Sequence, residues 1–143
     1  MARILAVDDE PGMLKLLAMI VREKTPHAVE TTNNPVEAVQ IVRRGGVDLV
    51  IADLKMPGLD GTELLEAIRA FSEVPVIIIT AFGSEEAAAE VREKGVFDFI
   101  LKPFRKEQII LAIDRALAWS EMQRENRALR EKLGPAAAGS AAP

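Results

Sequence analysis

The 143-residue sequence contains no cysteine and no tyrosine, and only one tryptophan and one histidine. Without cysteine the chain forms no disulfide bond and no thiolate zinc site. The single histidine, His27, follows Pro26 in a predicted loop. That position favours a surface residue over a zinc ligand or a phosphohistidine.

Long apolar runs and a basic surface are also missing. The longest apolar run, around residues 74–82, is far shorter than the roughly 20 residues of a membrane span. The apolar stretch near the start is shorter than the core of a signal peptide and leads into two acids. A net charge of −4 disfavours direct nucleic-acid binding, which needs a concentrated basic face. We therefore expect a cytoplasmic chain that binds neither membrane nor nucleic acid directly.

Five short runs predict the strands of one sheet. The runs at 3–7, 48–52, 75–79 and 97–101 are continuously apolar, which is typical of strands covered by helices on both faces. A more polar run at 28–31 suits an edge strand. Helical patterns separate these runs, and alternating βα units with right-handed crossovers produce a doubly wound parallel sheet. The predicted fold class is α/β.

Residues that start helices stand between the runs. Asn34 before Pro35 is a predicted N-cap, and Asp60 or Thr62 and then Ser84 are predicted to cap the next two helices.

Polar side chains follow four of the predicted strands, at the point where each strand ends. They are Asp8, Asp9, Asp53, Thr80 and Lys102. Because the carboxyl ends of parallel strands lie at one edge of the sheet, we expect these residues to converge there. Three acids, a hydroxyl and an amine suit a divalent metal and a phosphoryl group.

Each of these residues alone has a more ordinary interpretation. A single Asp53 would cap a helix or bind water, Thr80 would be a buried hydroxyl bonded to backbone, and Lys102 would be a turn lysine. Clustered carboxylates repel one another unless a cation neutralises them, and an all-oxygen set suits Mg²⁺. Asp53 is then the candidate nucleophile that becomes an acyl phosphate, with Lys102 pairing first with Asp53 and afterwards with the phosphate. Pro103 makes a cis bond after Lys102 possible.

The last predicted helix, from about 105 to 133, is longer than the sheet requires. Its second half has apolar residues at heptad spacing with an asparagine at an a position, which indicates a homodimeric coiled coil. A lone solvated extension is the alternative. The predicted dimer residues are Trp119, Met122, Asn126, Leu129 and Leu133. The Gly-, Ala- and Pro-rich residues 134–143 are predicted to form a flexible tail.

Over about residues 3 to 120 the chain resembles the receiver domain of two-component response regulators. The resemblance is carried by the motifs at 7–10, 53–58, 60–61, 80–81 and 102–104. It implies a flavodoxin-like strand order of 2-1-3-4-5. It also implies that Asp53 is the phosphoacceptor, that Mg²⁺ is held by Asp8, Asp9, Asp53 and the backbone carbonyl of Lys55, that Thr80 is the switch hydroxyl, and that Lys102 contacts the phosphoryl group.

Phe99 matches the aromatic switch position of these receivers, although a core ring is an equal alternative. The segments 80–87 and 125–130 resemble receivers that precede the AAA+ module of enhancer-binding transcription activators. The predicted organisation is therefore a receiver domain at 1–120, a helical coiled-coil-like linker at 121–133 and the tail at 134–143.

These features predict a signalling switch and not an enzyme acting on an outside substrate. A sensor histidine kinase is expected to phosphorylate Asp53 with Mg²⁺ and so control dimerisation and a transcription output. A structural dimerisation module with an unused acidic pocket is the alternative. A metal-dependent phosphatase is disfavoured because the position two after Asp53 is Lys55, where that chemistry needs an acid.

Overall fold

Strands and helices alternate along the whole chain. A computed structural model describes residues 1–81 and 83–140, with side chains described as far as Leu133, so Phe82 and residues 141–143 lie outside it. The elements are β1 Arg3–Val7, α1 Pro11–Lys24, β2 Ala28–Thr32, α2 Pro35–Arg43, β3 Leu49–Ala52, α3 Gly61–Arg69, β4 Val76–Thr80, α4 Glu85–Glu93, β5 Asp98–Leu101 and α5 Lys106–Ser140.

The five strands form one parallel sheet in the order β2-β1-β3-β4-β5. This confirms the predicted doubly wound fold and its strand order. β2 lies at an edge and leaves most of its side chains at least partly exposed, whereas the central β3 is buried throughout. The mixed polarity of residues 28–31 therefore correctly predicted an edge strand.

Both faces of the sheet are covered, so successive residues of one strand enter different cores. Leu5 and Val7 of β1 join a core with α2, α3 and α4, while Ile4 and Ala6 join a core with α1 and α5. All four of these β1 residues are 1% exposed or less. Burying each large aliphatic side chain contributes roughly 1.5–3 kcal/mol, which explains why continuous apolar runs and not alternating ones form these strands.

Side-chain caps fix the starts of three helices. The Asn34 carboxamide oxygen accepts from the amide of Val36 at 3.0 Å, and the Ser84 hydroxyl accepts from Ala87 at 3.0 Å. Asp60 caps α3 in a capping box with Glu63, which identifies Asp60 and not Thr62 as the N-cap. Each such cap stabilises its helix by about 1 kcal/mol.

The first half of α5 packs on the sheet and the second half runs along the amino-terminal ends of the strands. The Trp119 ring contacts Phe97 with centroids 5.9 Å apart, and Arg124 and Arg127 pair with Asp48 and Glu73. On another face, Met122, Leu129 and Leu133 are 60%, 59% and 64% exposed.

α5 continues through residues 134–140, where the sequence predicted a flexible tail. The remaining residues of the predicted tail, 141–143, lie outside the described part. Within that part, no helix is both long and apolar enough to cross a membrane.

Candidate functional site

The sheet brings the predicted strand-end residues to one edge. Val7 of β1 and Ile78 of β4 both pair with Ala52 of β3, so Asp8 and Asp53 leave neighbouring strands side by side. Carboxylate oxygens of Asp8, Asp9 and Asp53 all lie within 4.8 Å of one another. Asp8 and Asp53 are 2% and 5% exposed, whereas Asp9 faces solvent.

Lys102 reaches this cluster from the end of β5. Its ammonium lies 3.0 Å from Oδ2 of Asp53 and 3.9 Å from Oδ2 of Asp8. Its backbone amide donates to the carbonyl of Thr80 at 2.8 Å, which fixes the start of the loop, and the Lys102–Pro103 bond is cis. The predicted Asp53–Lys102 pair is therefore present in the structure.

Backbone amides orient both buried carboxylates. The amide of Glu10 donates to Oδ1 of Asp8 at 2.9 Å, and the amide of Lys55 donates to Oδ1 of Asp53 at 3.2 Å. These two contacts were not predicted from the sequence. Their signal was present, because an aspartate that ends a strand commonly accepts from the amide two residues later.

The charges of the cluster do not balance. Among the described residues, these three carboxylates face one ammonium, that of Lys102, which leaves a formal charge of −2 when all four groups are ionised. A divalent cation would neutralise that charge, and an oxygen-only set with one solvent-facing member suits Mg²⁺, which keeps part of its water shell. The residues therefore fit Mg²⁺, and the part taken by the Lys55 carbonyl stays a prediction.

Burial and the surrounding charges both affect the Asp8 carboxyl. Its pKa is raised from 3.8 to about 6, mainly by burial and also by the nearby charge of Asp53, against the lowering effects of the Glu10 amide and Lys102. Without a cation, part of the Asp8 population therefore retains a proton at mildly acidic pH. Metal binding must displace that proton.

Thr80 and Phe99 lie on the neighbouring strands β4 and β5. Thr80 is fully buried and ends β4. Phe99 is half-buried and packs against the core formed with α2, α3 and α4. A Cβ added to Gly83 would lie 1.8 Å from the Leu101 side chain and 3.3 Å from the Phe99 ring, so little space separates Gly83 from the side chains of β5. Phe99 thus has the packing of a core ring, and its switch role stays a prediction.

Comparison with known proteins identifies the family. Residues 4–114 match the response regulator receiver domain. The chain belongs to that family. Its strand-end acids, Thr80 and Lys102 therefore occupy a receiver's carboxyl edge, as the sequence motifs implied.

Two similar proteins are much longer than this chain. The transcriptional regulatory protein GlrR of Escherichia coli (strain K12) is 39% identical over 127 residues, which cover 88% of this chain and 28% of GlrR. NtrX from Brucella abortus, solved in complex with ADP, has a TM-score of 0.81 and 35% identity, covering 91% of this chain and 30% of NtrX.

A receiver domain protein from Clostridium thermocellum has a TM-score of 0.80 and 27% identity, covering 86% of this chain and 99% of its own. This chain thus spans less than a third of GlrR and NtrX, and nearly all of an isolated receiver. The matches confirm the narrower resemblance to receivers of AAA+ enhancer-binding activators.

The raised pKa of Asp8 predicts how Asp8→Asn changes stability without metal. Because the folded state holds the Asp8 proton more tightly than the unfolded state, ionisation removes stability as pH rises from 3.8 to about 6. In EDTA at pH 7 the variant should be more stable than wild type by on the order of 1–3 kcal/mol, and near pH 3.5 the two should be alike. Thermal unfolding across this pH range measures the difference.

Asp9→Asn is the matched control, because Asp9 is exposed and its neutralisation should change stability in EDTA much less. Adding MgCl₂ should raise the wild-type melting temperature and leave Asp8→Asn unchanged. Equal stability of wild type and Asp8→Asn at pH 7 in EDTA would contradict the conclusion that the ionised Asp8 carboxylate is buried and destabilises the metal-free fold.

Proposed function

We propose that this receiver is a phosphoacceptor switch that a sensor histidine kinase phosphorylates on Asp53 in the cytoplasm. The observation that carries the proposal is the buried Asp53 carboxylate held 3.0 Å from the Lys102 ammonium, with Asp8 and Asp9 close by. Family membership supports the same assignment. A buried carboxylate nucleophile paired with a lysine ammonium is suited to accepting a phosphoryl group and not to turning over an outside substrate.

The transfer moves one phosphoryl group between side chains. An oxygen of Asp53 forms a bond to phosphorus while the bond from phosphorus to the kinase's histidine nitrogen breaks, and the electron pair of that bond remains on the imidazole. Bound Mg²⁺ would supply charge neutralisation for the incoming phosphoryl oxygens. Asp8, Asp9 and Asp53 would hold it, together with the Lys55 carbonyl.

The remaining residues would sense the product. Lys102 exchanges its partner from Asp53 Oδ2 to a phosphoryl oxygen, which forms a charge-assisted pair. The Thr80 hydroxyl donates to a second phosphoryl oxygen, and the Phe99 ring moves together with the loop after β4. These contacts exist only in the phosphorylated state, so they shift the population between two arrangements of the surface carrying Phe99 and α5.

The proposed output is a changed dimer that regulates transcription through further domains. The exposed apolar face of α5 at Met122, Leu129 and Leu133 is the proposed dimer contact, with Asn126 setting the register. Trp119 also packs against Phe97 of the receiver body. The same exposed face supports the second candidate function, a structural dimerisation module whose acidic pocket is unused.

Chemical phosphorylation tests the assignment of Asp53. Acetyl phosphate with MgCl₂ should add a single alkali-labile phosphoryl group to the wild-type chain, and Asp53→Asn should abolish it. Intact-mass spectrometry provides the measurement. Asp60→Asn, which changes a carboxylate that caps α3, should retain full labelling. Labelling that persists in Asp53→Asn would contradict the assignment of Asp53 as the phosphoacceptor.

Light scattering separates the switch from the structural module. With beryllium fluoride and MgCl₂ as a phosphoryl mimic, the weight-average mass of the wild-type chain should change, because the mimic engages Thr80 and Lys102. Leu129→Glu should lower the dimer fraction, while Glu131→Ala, at an exposed position outside the predicted heptad seam, should not. A dimer of identical mass with and without the mimic would favour the structural module.

A further inference from the structure

The start of α3 approaches the end of β3 so closely that a side chain cannot stand between them. A Cβ added to Gly61 would lie 2.5 Å from the backbone oxygen of Asp53 and 2.8 Å from Cα of Leu54. The Gly61 amide donates to the carbonyl of Leu54 at 2.8 Å. Any residue other than glycine must therefore push backbone apart, because both nearest atoms belong to the main chain.

The β3 side of this contact is held in place. The amide of Asp53 donates to the carbonyl of Val7 at 3.3 Å, which ties it to β1. Leu54 is 6% exposed and belongs to the core with α2, α3 and α4. The backbone at 53–54 can move only by disturbing these contacts.

The α3 side is held as well. Leu64, Leu65 and Ile68 are fully buried, and the capping box between Asp60 and Glu63 closes the first turn. Close-packed interiors transmit a displacement of this size and do not absorb it locally. A methyl group at position 61 would therefore displace the segment that starts at Asp53.

We propose that Gly61 is a positioning residue for the metal and phosphoryl site. It sets where the Asp53 carboxylate stands relative to Lys102 and where the Lys55 carbonyl lies, although its own atoms touch neither the metal nor the phosphoryl group. The inference rests on the proposed function for the identity of the site, and on the geometry of Gly61 for the role.

The variant Gly61→Ala tests this through Mg²⁺ binding to the full chain, measured by calorimetry with MgCl₂. Misplacing a group that supports a metal ligand typically weakens metal affinity about 10-fold or more, and we expect that loss here. The control is a substitution at Ile113 of α5, to Val or Ala, whichever matches the melting temperature of Gly61→Ala. Ile113 is fully buried in the core with α1 and α5, so this control lowers stability away from the Gly61 contact and should keep the wild-type affinity. An affinity for Gly61→Ala equal to that of the Ile113 control would overturn the proposal.

A second comparison covers the case in which Gly61→Ala does not fold. Asp60→Ala removes the cap that seats the first turn of α3, and should weaken Mg²⁺ binding several-fold, whereas Asp60→Asn keeps a cap without the charge and should not. Asn34→Ala removes an equivalent cap from α2 and should also leave binding unchanged. Equal Mg²⁺ affinity in Asp60→Ala and Asn34→Ala would count against the role of this contact.

Failure of the phosphoacceptor function and failure of the positioning role would give different results. A wild-type chain that binds Mg²⁺ but takes no phosphoryl group from acetyl phosphate would contradict the phosphoacceptor function alone. The comparison of Gly61→Ala with its Ile113 control would still decide the positioning role, because it measures metal binding and not phosphorylation.

Discussion

The ion pair between Lys102 and Asp53 is the interaction on which the site depends. It joins the end of β5 to the end of β3, two strands that are separated in the sheet by β4. One ammonium cannot neutralise three carboxylates, so the pair leaves negative charge at the edge. Burial is the main cause of the raised pKa of Asp8, and the negative charge of Asp53 adds to it. A buried charge of this kind destabilises the metal-free fold. That cost is explained if the site functions by binding a cation and a phosphoryl group.

Much of this arrangement was predictable from the sequence because it follows from topology. Continuous apolar runs predicted strands covered on both faces, and parallel strands place their carboxyl ends at one edge. Asp8, Asp53, Thr80 and Lys102 then had to converge, whatever the details of the loops. The strand order came from resemblance to the receiver family and was confirmed.

Other features depend on distances that a residue pattern does not contain. Gly61 stood in a recognised Asp-Gly pair, but its approach to the Asp53 backbone emerges only when α3 is seated on the core. The pairs of Arg124 and Arg127 with Asp48 and Glu73 join residues far apart in sequence. Heptad spacing predicted Trp119 as a dimer residue, and its contact with Phe97 shows that it also packs on the receiver body.

The most direct test of the account is to locate the acyl phosphate chemically. Borohydride reduces an aspartyl phosphate to homoserine, so treatment after acetyl phosphate and MgCl₂ marks the acceptor permanently. Tandem mass spectrometry of a digest should find homoserine at position 53 and intact aspartate at Asp8, Asp9 and Asp60. Homoserine at any of those other positions, with Asp53 unmodified, would contradict the claim that this edge holds its phosphoryl group on Asp53.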